Sequence, residues 1–177
     1  EKAVVAELGT GSGCIAITLA AERPEWKVIA GDVSEDALTI AKTNSTSHDV
    51  DDKIVFITSS WFENFGRLVP ENSLDMIVSN PPYILSSEIS KLQPEIARYE
   101  PLLALDGGDS GLNAYRIIVE GSQKWLVESG WIVLEIGDDQ GEQVKMILRE
   151  FGFNSIEVKE DASGRDRVIS GRMQCRN

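Results

Sequence analysis

With 177 residues, 42% of them hydrophobic and 26% charged, the sequence is that of one soluble domain whose core needs no staples, and no apolar run approaches the roughly 20 residues of a membrane span. A net charge of −12 argues against direct binding of nucleic acid by its phosphates and fits a basic protein partner or a small cationic ligand, with acidity for solubility alone an equal alternative. Cys14 and Cys175 stand far apart and His48 is the single histidine, so a disulfide framework, a zinc site and a histidine-dependent triad all lack their parts.

The chain opens at Glu1 with no initiator methionine and no signal peptide, which reads as a piece of a longer intracellular protein. Ala3 to Leu8 is a short apolar run and predicts a buried strand. Gly9-Thr10-Gly11-Ser12-Gly13 follows as a glycine-rich turn, and Cys14 to Arg23 has helical spacing up to Pro24, with Cys14 packed in that helix. Lys27 to Gly31 predicts a second strand ending at Asp32, and Ser34 caps a helix from Glu35 to about Thr43. The polar stretch Thr43 to Asp52 places His48 in a surface loop.

Lys53 to Thr58 predicts a third strand, followed by Ser59-Ser60-Trp61-Phe62, and Leu74 to Ser79 predicts a fourth that delivers Asn80-Pro81-Pro82-Tyr83. The span from Tyr83 to Gly111 is long, polar and rich in turn residues, with a helical hint only at Glu88 to Tyr99, as in binding loops and lids. An amphipathic helix over Tyr115 to Leu126, a strand over Trp131 to Ile136 and a helix over Val144 to Phe151 come next. Phe153 to Lys159 and Arg167 to Ser170 close the domain at residue 173 as an antiparallel hairpin, and 174–177 reads as a frayed tail.

Alternating strands and helices imply a doubly wound, mostly parallel α/β sheet, in which ligands sit beyond the carboxyl ends of the strands. Positions 9 to 13, 32, 60 to 61 and 80 to 83 all lie at such ends. Glycines at 9, 11 and 13 permit a tight turn and close backbone approach, and Asp32 is placed to accept from two ribose hydroxyls. The spacing is not that of a dinucleotide fold, and no Gly-Lys-Ser/Thr follows to make a phosphate loop. Glu7, just before the glycines, repels a pyrophosphate but suits an ammonium or sulfonium group, which points to S-adenosylmethionine; a solvated carboxylate at a strand end is the plain alternative. Pro81 and Pro82 hold Asn80 and Pro81 extended and lack N–H groups, leaving an array of acceptors beside the Tyr83 ring that suits a planar –NH2 group. An ordinary proline turn fits that tetrapeptide equally well.

Glu7-Leu8-Gly9-Thr10-Gly11-Ser12-Gly13, Asp32, Trp61-Phe62, Asn80-Pro81-Pro82-Tyr83, Tyr99-Glu100-Pro101, Ala104 to Gly111 and Gly164 to Val168 resemble, in order and spacing, the catalytic domain of the release factor glutamine N5-methyltransferases. The resemblance implies a Rossmann-like, seven-stranded class I methyltransferase sheet and S-adenosylmethionine as donor, with S-adenosylhomocysteine as product. The implied substrate is the glutamine of the Gly-Gly-Gln loop of peptide chain release factors. It assigns cofactor contacts to Glu7, Gly9, Thr10, Gly11, Gly13, Asp32, Ser60, Trp61 and Asn80, and acceptor contacts to Asn80, Pro81, Pro82, Tyr83 and Glu100, with Asn80, Pro81 and Tyr83 catalytic and no metal. Ser60 stands where many relatives carry an acidic residue near the adenine, and the family's helical N-terminal domain is not in this chain.

The expected mechanism has the Asn80 oxygen and the Pro81 carbonyl accept the two amide protons while Tyr83 packs on the amide plane, so that catalysis is orientation and electrostatics. Methylation of a ribosomal protein glutamine, or of the exocyclic amino group of adenine or guanine, uses the same grip and is the rival reading. A cofactor-binding module without catalysis is disfavoured by the intact Asn80 to Tyr83 stretch. The expectation is a monomeric cytoplasmic enzyme, or an organellar one if a transit peptide preceded the chain, with a release factor as protein partner and no membrane partner.

Overall fold

The computed structural model describes residues 2–175, apart from the side chains of residues 97–99, so the Tyr99 ring lies outside the described residues. In chain order the elements are β1 (Val4–Leu8), α1 (Cys14–Glu22), β2 (Lys27–Asp32), α2 (Glu35–Ser47), β3 (Ile54–Thr58), β4 (Leu74–Ser79), α3 (Pro94–Tyr99), α4 (Leu102–Leu105), α5 (Asn113–Trp125), β5 (Leu126–Glu135), α6 (Gly141–Glu150), β6 (Phe153–Glu160) and β7 (Asp166–Met173). They form one seven-stranded sheet in the order β3-β2-β1-β4-β5-β7-β6. β1 to β5 pair in parallel, and β7 lies antiparallel between β5 and β6. The expected doubly wound sheet with its terminal antiparallel hairpin is the fold.

Successive side chains of a strand point to opposite faces, and β2 divides its burial accordingly. Val28 and Ala30 join Ala16, Ile17 and Ala20 of α1 in one core cluster, whereas Ile29 joins Ala6, Leu8 and the larger cluster under α5 and α6. Tyr115, Ile118, Ile132, Leu134, Ile147 and Leu148 are fully buried in that larger cluster, which makes it the mechanical base of the β4–β5 half.

Three expectations about local structure are corrected. α2 continues to Ser47 with His48 as its C-cap, because Ser45 is buried and the polar run is amphipathic rather than loop-like. β5 begins at Leu126, five residues before Trp131: Leu126 pairs with Leu74, and a register shift carries the strand past Gly130 to pair Trp131 with Met76. Cys14 is exposed at the first turn of α1 rather than packed. In the 174–177 stretch, the Gln174 N–H donates to the Gly152 carbonyl at 3.1 Å and Cys175 Sγ lies 3.8 Å from Ser129 Oγ; 176 and 177 lie outside the described residues. Among the described residues no helix is long and apolar enough to cross a membrane.

Candidate active site at the β1–β4 switch point

The strand order departs from β1 in both directions, with β2 on one side and β4 on the other, so the carboxyl ends of β1 and β4 frame the crevice where open α/β sheets bind ligands. The register fixes what meets there. Leu8 pairs with Ser79, and the buried Ser79 hydroxyl donates to the Leu8 carbonyl at 2.7 Å. The next residue on each strand is therefore Gly9 on one side and Asn80 on the other. A cavity of ≈ 380 Å³ lies over this seam. Its walls include Glu7, Gly9, Thr10 and Gly11 from the glycine turn, Asn80, Pro81 and Tyr83 from the end of β4, and Glu100 from the long loop.

The glycine turn is anchored from below. Gly9 and Thr10 N–H groups donate to the Gly31 carbonyl at 2.9 and 3.0 Å, and the Gly11 N–H donates to Asp32 Oδ2 at 2.8 Å. Gly9 and Gly11 adopt positive φ of 71° and 55°, and a Cβ on either would enter open space, so the turn leaves room above itself. Gly13 has another purpose. A Cβ there would lie 3.0 Å from the Ala41 Cβ, so this glycine lets α1 pack on α2 and does not line the cavity.

Glu7 is 1% exposed at the floor of the cavity. Its Oε2 accepts from Thr10 Oγ1 at 2.5 Å and from the Ala16 N–H at 3.0 Å, and among the described residues nothing donates to Oε1. Burial pushes its carboxyl up to about 7, against the lowering effect of those two hydrogen bonds. A carboxylate so placed is completed by a cation.

On the opposite wall, no described residue hydrogen-bonds the Asn80 side chain or the Pro81 carbonyl, so both are available to a ligand. Pro81 is buried, and its ring restricts the backbone of Asn80 and Pro81 from which both groups project. Behind them the 84–111 loop is less open than its composition suggests. The Ile84 N–H donates to the Leu105 carbonyl at 3.0 Å and the Gly107 N–H donates to the Ile84 carbonyl at 2.8 Å, a short parallel bridge that closes the loop on itself. Asp106 Oδ1 accepts from Ser86 Oγ at 2.6 Å and from the Gly108 N–H at 2.8 Å, and both bonds hold its carboxyl below the usual range.

Of the residues expected in the site, Glu7, Gly9, Thr10, Gly11, Asn80, Pro81, Tyr83 and Glu100 share this one cavity, whereas Gly13, Asp32, Ser60, Trp61 and Pro82 do not line it. Asp32 is one strand away, with Oδ2 on Gly11 and Oδ1 accepting from the Ser34 N–H at 2.9 Å; each oxygen keeps a free lone pair. Ser60 and Trp61 follow β3, two strands from β1, where Trp61 takes a φ of 47° and packs against the core. Sequence reading missed Ser12, Cys14, Ile15, Ile84, Ala104 and Leu105 as lining residues. It also missed Glu135 and Gln140, which flank the carboxyl end of β5 and reach the Tyr83 hydroxyl and carbonyl. The rule that ligands gather at the carboxyl ends of strands, applied to β5, points to that pair.

Residues 1–97 match the family model of the methyltransferase small domain. The chain is 46% identical over 169 residues to a bifunctional methyltransferase of Rickettsia felis, a match spanning 96% of this chain and 31% of that protein. It is 44% identical over 165 residues to a release factor glutamine methyltransferase of Thermodesulfovibrio yellowstonii, spanning 93% of this chain and 57% of that one. The chain thus spans about a third to three fifths of the length of these curated relatives. A solved methyltransferase from Pyrococcus furiosus shares the fold, with a TM-score of 0.71 over 98% of this chain and 76% of that chain at 19% identity. The match over residues 1–97 and the shared sheet agree: the chain belongs to the methyltransferase small domain family.

Proposed function

We propose that this domain transfers a methyl group from S-adenosylmethionine to the side-chain amide nitrogen of a glutamine, and that the glutamine is the one in the Gly-Gly-Gln loop of a peptide chain release factor, in the cytoplasm. The observation that carries the reading is the Leu8–Ser79 register, which brings a buried carboxylate beneath a glycine turn and an uncommitted Asn-Pro carbonyl array onto one cavity. When bound, S-adenosylmethionine supplies an electrophilic methyl group on a sulfonium centre. The residues present fit it: Gly9 and Gly11 leave room for a ligand, Glu7 Oε1 is an open acceptor for its cationic amino acid portion, and Asp32 retains lone pairs for its ribose.

The chain's own contribution is orientation. An amide nitrogen is a poor nucleophile because its lone pair is delocalised into the carbonyl. Asn80 Oδ1 and the Pro81 carbonyl accept its two N–H groups and the Tyr83 ring supports the amide plane, holding the lone pair toward the donor side of the cavity. With the donor bound, the N–C bond would form as the sulfonium S–C bond breaks, the electron pair staying on sulfur to leave S-adenosylhomocysteine, and one amide proton would pass to water.

The relatives named release factor glutamine methyltransferase, at 39–44% identity over most of the chain, support the choice of acceptor, and the acidic surface disfavours RNA or DNA. The test is incubation with methyl-labelled cofactor and, in separate tubes, a release factor, ribosomal proteins and RNA. Label in the release factor at its loop glutamine is the expected result. Label in RNA alone overturns the acceptor assignment.

A further inference from the structure

Gln140 stands between β5 and α6 and is 7% exposed, without lining the cavity. Its Nε2 donates to the Tyr83 carbonyl at 3.1 Å and to the Gly111 carbonyl at 3.2 Å. Its Oε1 accepts from the Gly137 N–H at 3.0 Å and lies 3.1 Å from the Tyr115 hydroxyl, which is itself 3.1 Å from the Glu135 carbonyl. Both donors of this amide and one acceptor position are filled, and the Tyr115 proton is shared between its oxygen and the Glu135 carbonyl, which holds the amide in one orientation. Tyr115 is fully buried, so the acceptor end of Gln140 rests on the rigid α5–β5 core.

The two carbonyls that Gln140 joins belong to separate pieces of the site wall. Tyr83 ends the acceptor motif, and Gly111 ends the long loop. Their contact leaves no spare volume: a Cβ on Gly107 would lie 2.7 Å from the Tyr83 Cα, and one on Gly111 would lie 2.6 Å from the Tyr83 carbonyl oxygen. The Tyr83 hydroxyl is held less firmly. It lies 3.4 Å from both Glu135 Oε1 and Arg167 Nη1, at the weak end of hydrogen-bond range. The shorter bonds at the backbone therefore decide where Tyr83 sits.

We propose that Gln140 is a positioning residue: its amide fork pins the Tyr83 backbone to Gly111 and thereby sets how the Asn80 and Pro81 oxygens and the Tyr83 ring face an acceptor amide. The last clause rests on the functional reading above, while the clamp itself does not. Gln140 lies beyond the 1–97 stretch matched by the family model, so the acceptor half of the site is completed by the second half of the chain.

Gln140→Glu keeps the shape and the acceptor oxygen but removes the donors. Gln140→Met keeps the volume without adding a charge, should that charge unfold the protein. Gln143→Glu, on an exposed position of the same helix, makes the same charge change as a control. Two readouts are compared at equal cofactor saturation. In both Gln140 variants the Ile84 and Gly107 amides should exchange with solvent about tenfold faster, while the Gly9 and Thr10 amides keep their rates. Turnover should fall about 10- to 100-fold with cofactor Kd within about twofold of the parent, because a displacement near 1 Å costs that much in positioned chemistry. Unchanged exchange at Ile84 and Gly107, or equal loss of cofactor affinity and turnover, overturns the clamp. If the parent protein methylates no glutamine acceptor, the functional reading falls, and the exchange rates still decide whether Gln140 holds the wall.

Discussion

The two walls of the cavity are built by opposite means. The donor wall, Glu7 to Ser12, is closed by bonds to its nearest neighbours: Gly31 and Asp32 at the end of β2, and Ala16 in the helix that follows. The acceptor wall, Asn80 to Tyr83, is held by groups 57 and 84 residues away in sequence, Gln140 and Arg167, and by a loop whose glycines are packed against it. A wall made of local bonds folds as one unit with its strand and helix. A wall assembled from distant segments can be displaced without unfolding the sheet, so damage should separate cleanly into loss of cofactor and loss of turnover.

The largest expected effect tests the acceptor wall directly. Asn80→Ala should reduce turnover about 10²- to 10³-fold, the size of losing one preorganised acceptor at the reacting group, while cofactor binding by calorimetry stays within about twofold. Equal loss of both would merge the two walls into one and remove the assigned role.

Glu7→Gln probes the donor wall through pH. The folded carboxyl stands at about 7 against an ordinary 4.5, so its protonated form is favoured by folding. Its contribution to the cofactor-free protein is fully present below pH 4.5 and is lost as pH rises through 7, by about 3 kcal/mol at most. Denaturant melts at pH 5 and pH 8.5 should therefore diverge more for the parent than for Glu7→Gln. Binding of a cation needs the ionised form, so parent affinity should rise with pH through about 7 with release of a proton, and the variant should lose that slope. A parent whose affinity does not vary between pH 6 and 8 contradicts the placement of Glu7.

Asp32→Ala should weaken cofactor binding by about 2 kcal/mol, since it removes a charged acceptor and also frees the Gly11 and Ser34 N–H groups. Turnover at saturating cofactor should change little. Unchanged affinity would remove Asp32 from the site.

The smallest effects come from a pair of glycines. Gly11→Ala meets open space and costs about 1 kcal/mol of stability for its positive φ. Gly107→Ala meets the Tyr83 backbone and should cost about 1–3 kcal/mol, with turnover falling further than cofactor affinity. A Gly107 variant with normal turnover would mean that the wall yields without consequence.

Much of this contrast was legible in the residues. Strand and helix periods, the stop at Pro24 and the Ser34 cap, whose Oγ accepts from the Ala37 N–H at 3.2 Å, gave the elements of the donor half nearly in full. The reading was poorest where tertiary contacts overrule local cues. Gly130 looked like a break between helix and strand, yet the pairing of Leu126 with Leu74 starts β5 before it. Cys14 has the spacing of a core residue, but its place in the first turn of α1 puts it on the cavity. The loop after Tyr83 reads only as long, polar and turn-rich because its residues do not announce the bridge between Ile84 and Asp106.

By itself the sequence determined the alternation of elements, the glycine turn with Glu7 beneath it, and the proline-locked acceptors after β4, because φ restriction, burial and helical period act over a few residues. Only the tertiary structure decided that these two pieces face one cavity, since that depends on β4 rather than β2 or β5 lying on the free side of β1 with Leu8 against Ser79. It alone also decided what holds Tyr83. A buried glutamine can spend its four hydrogen bonds on any partners the fold brings near, and the fold brings Tyr83, Gly111, Gly137 and Tyr115.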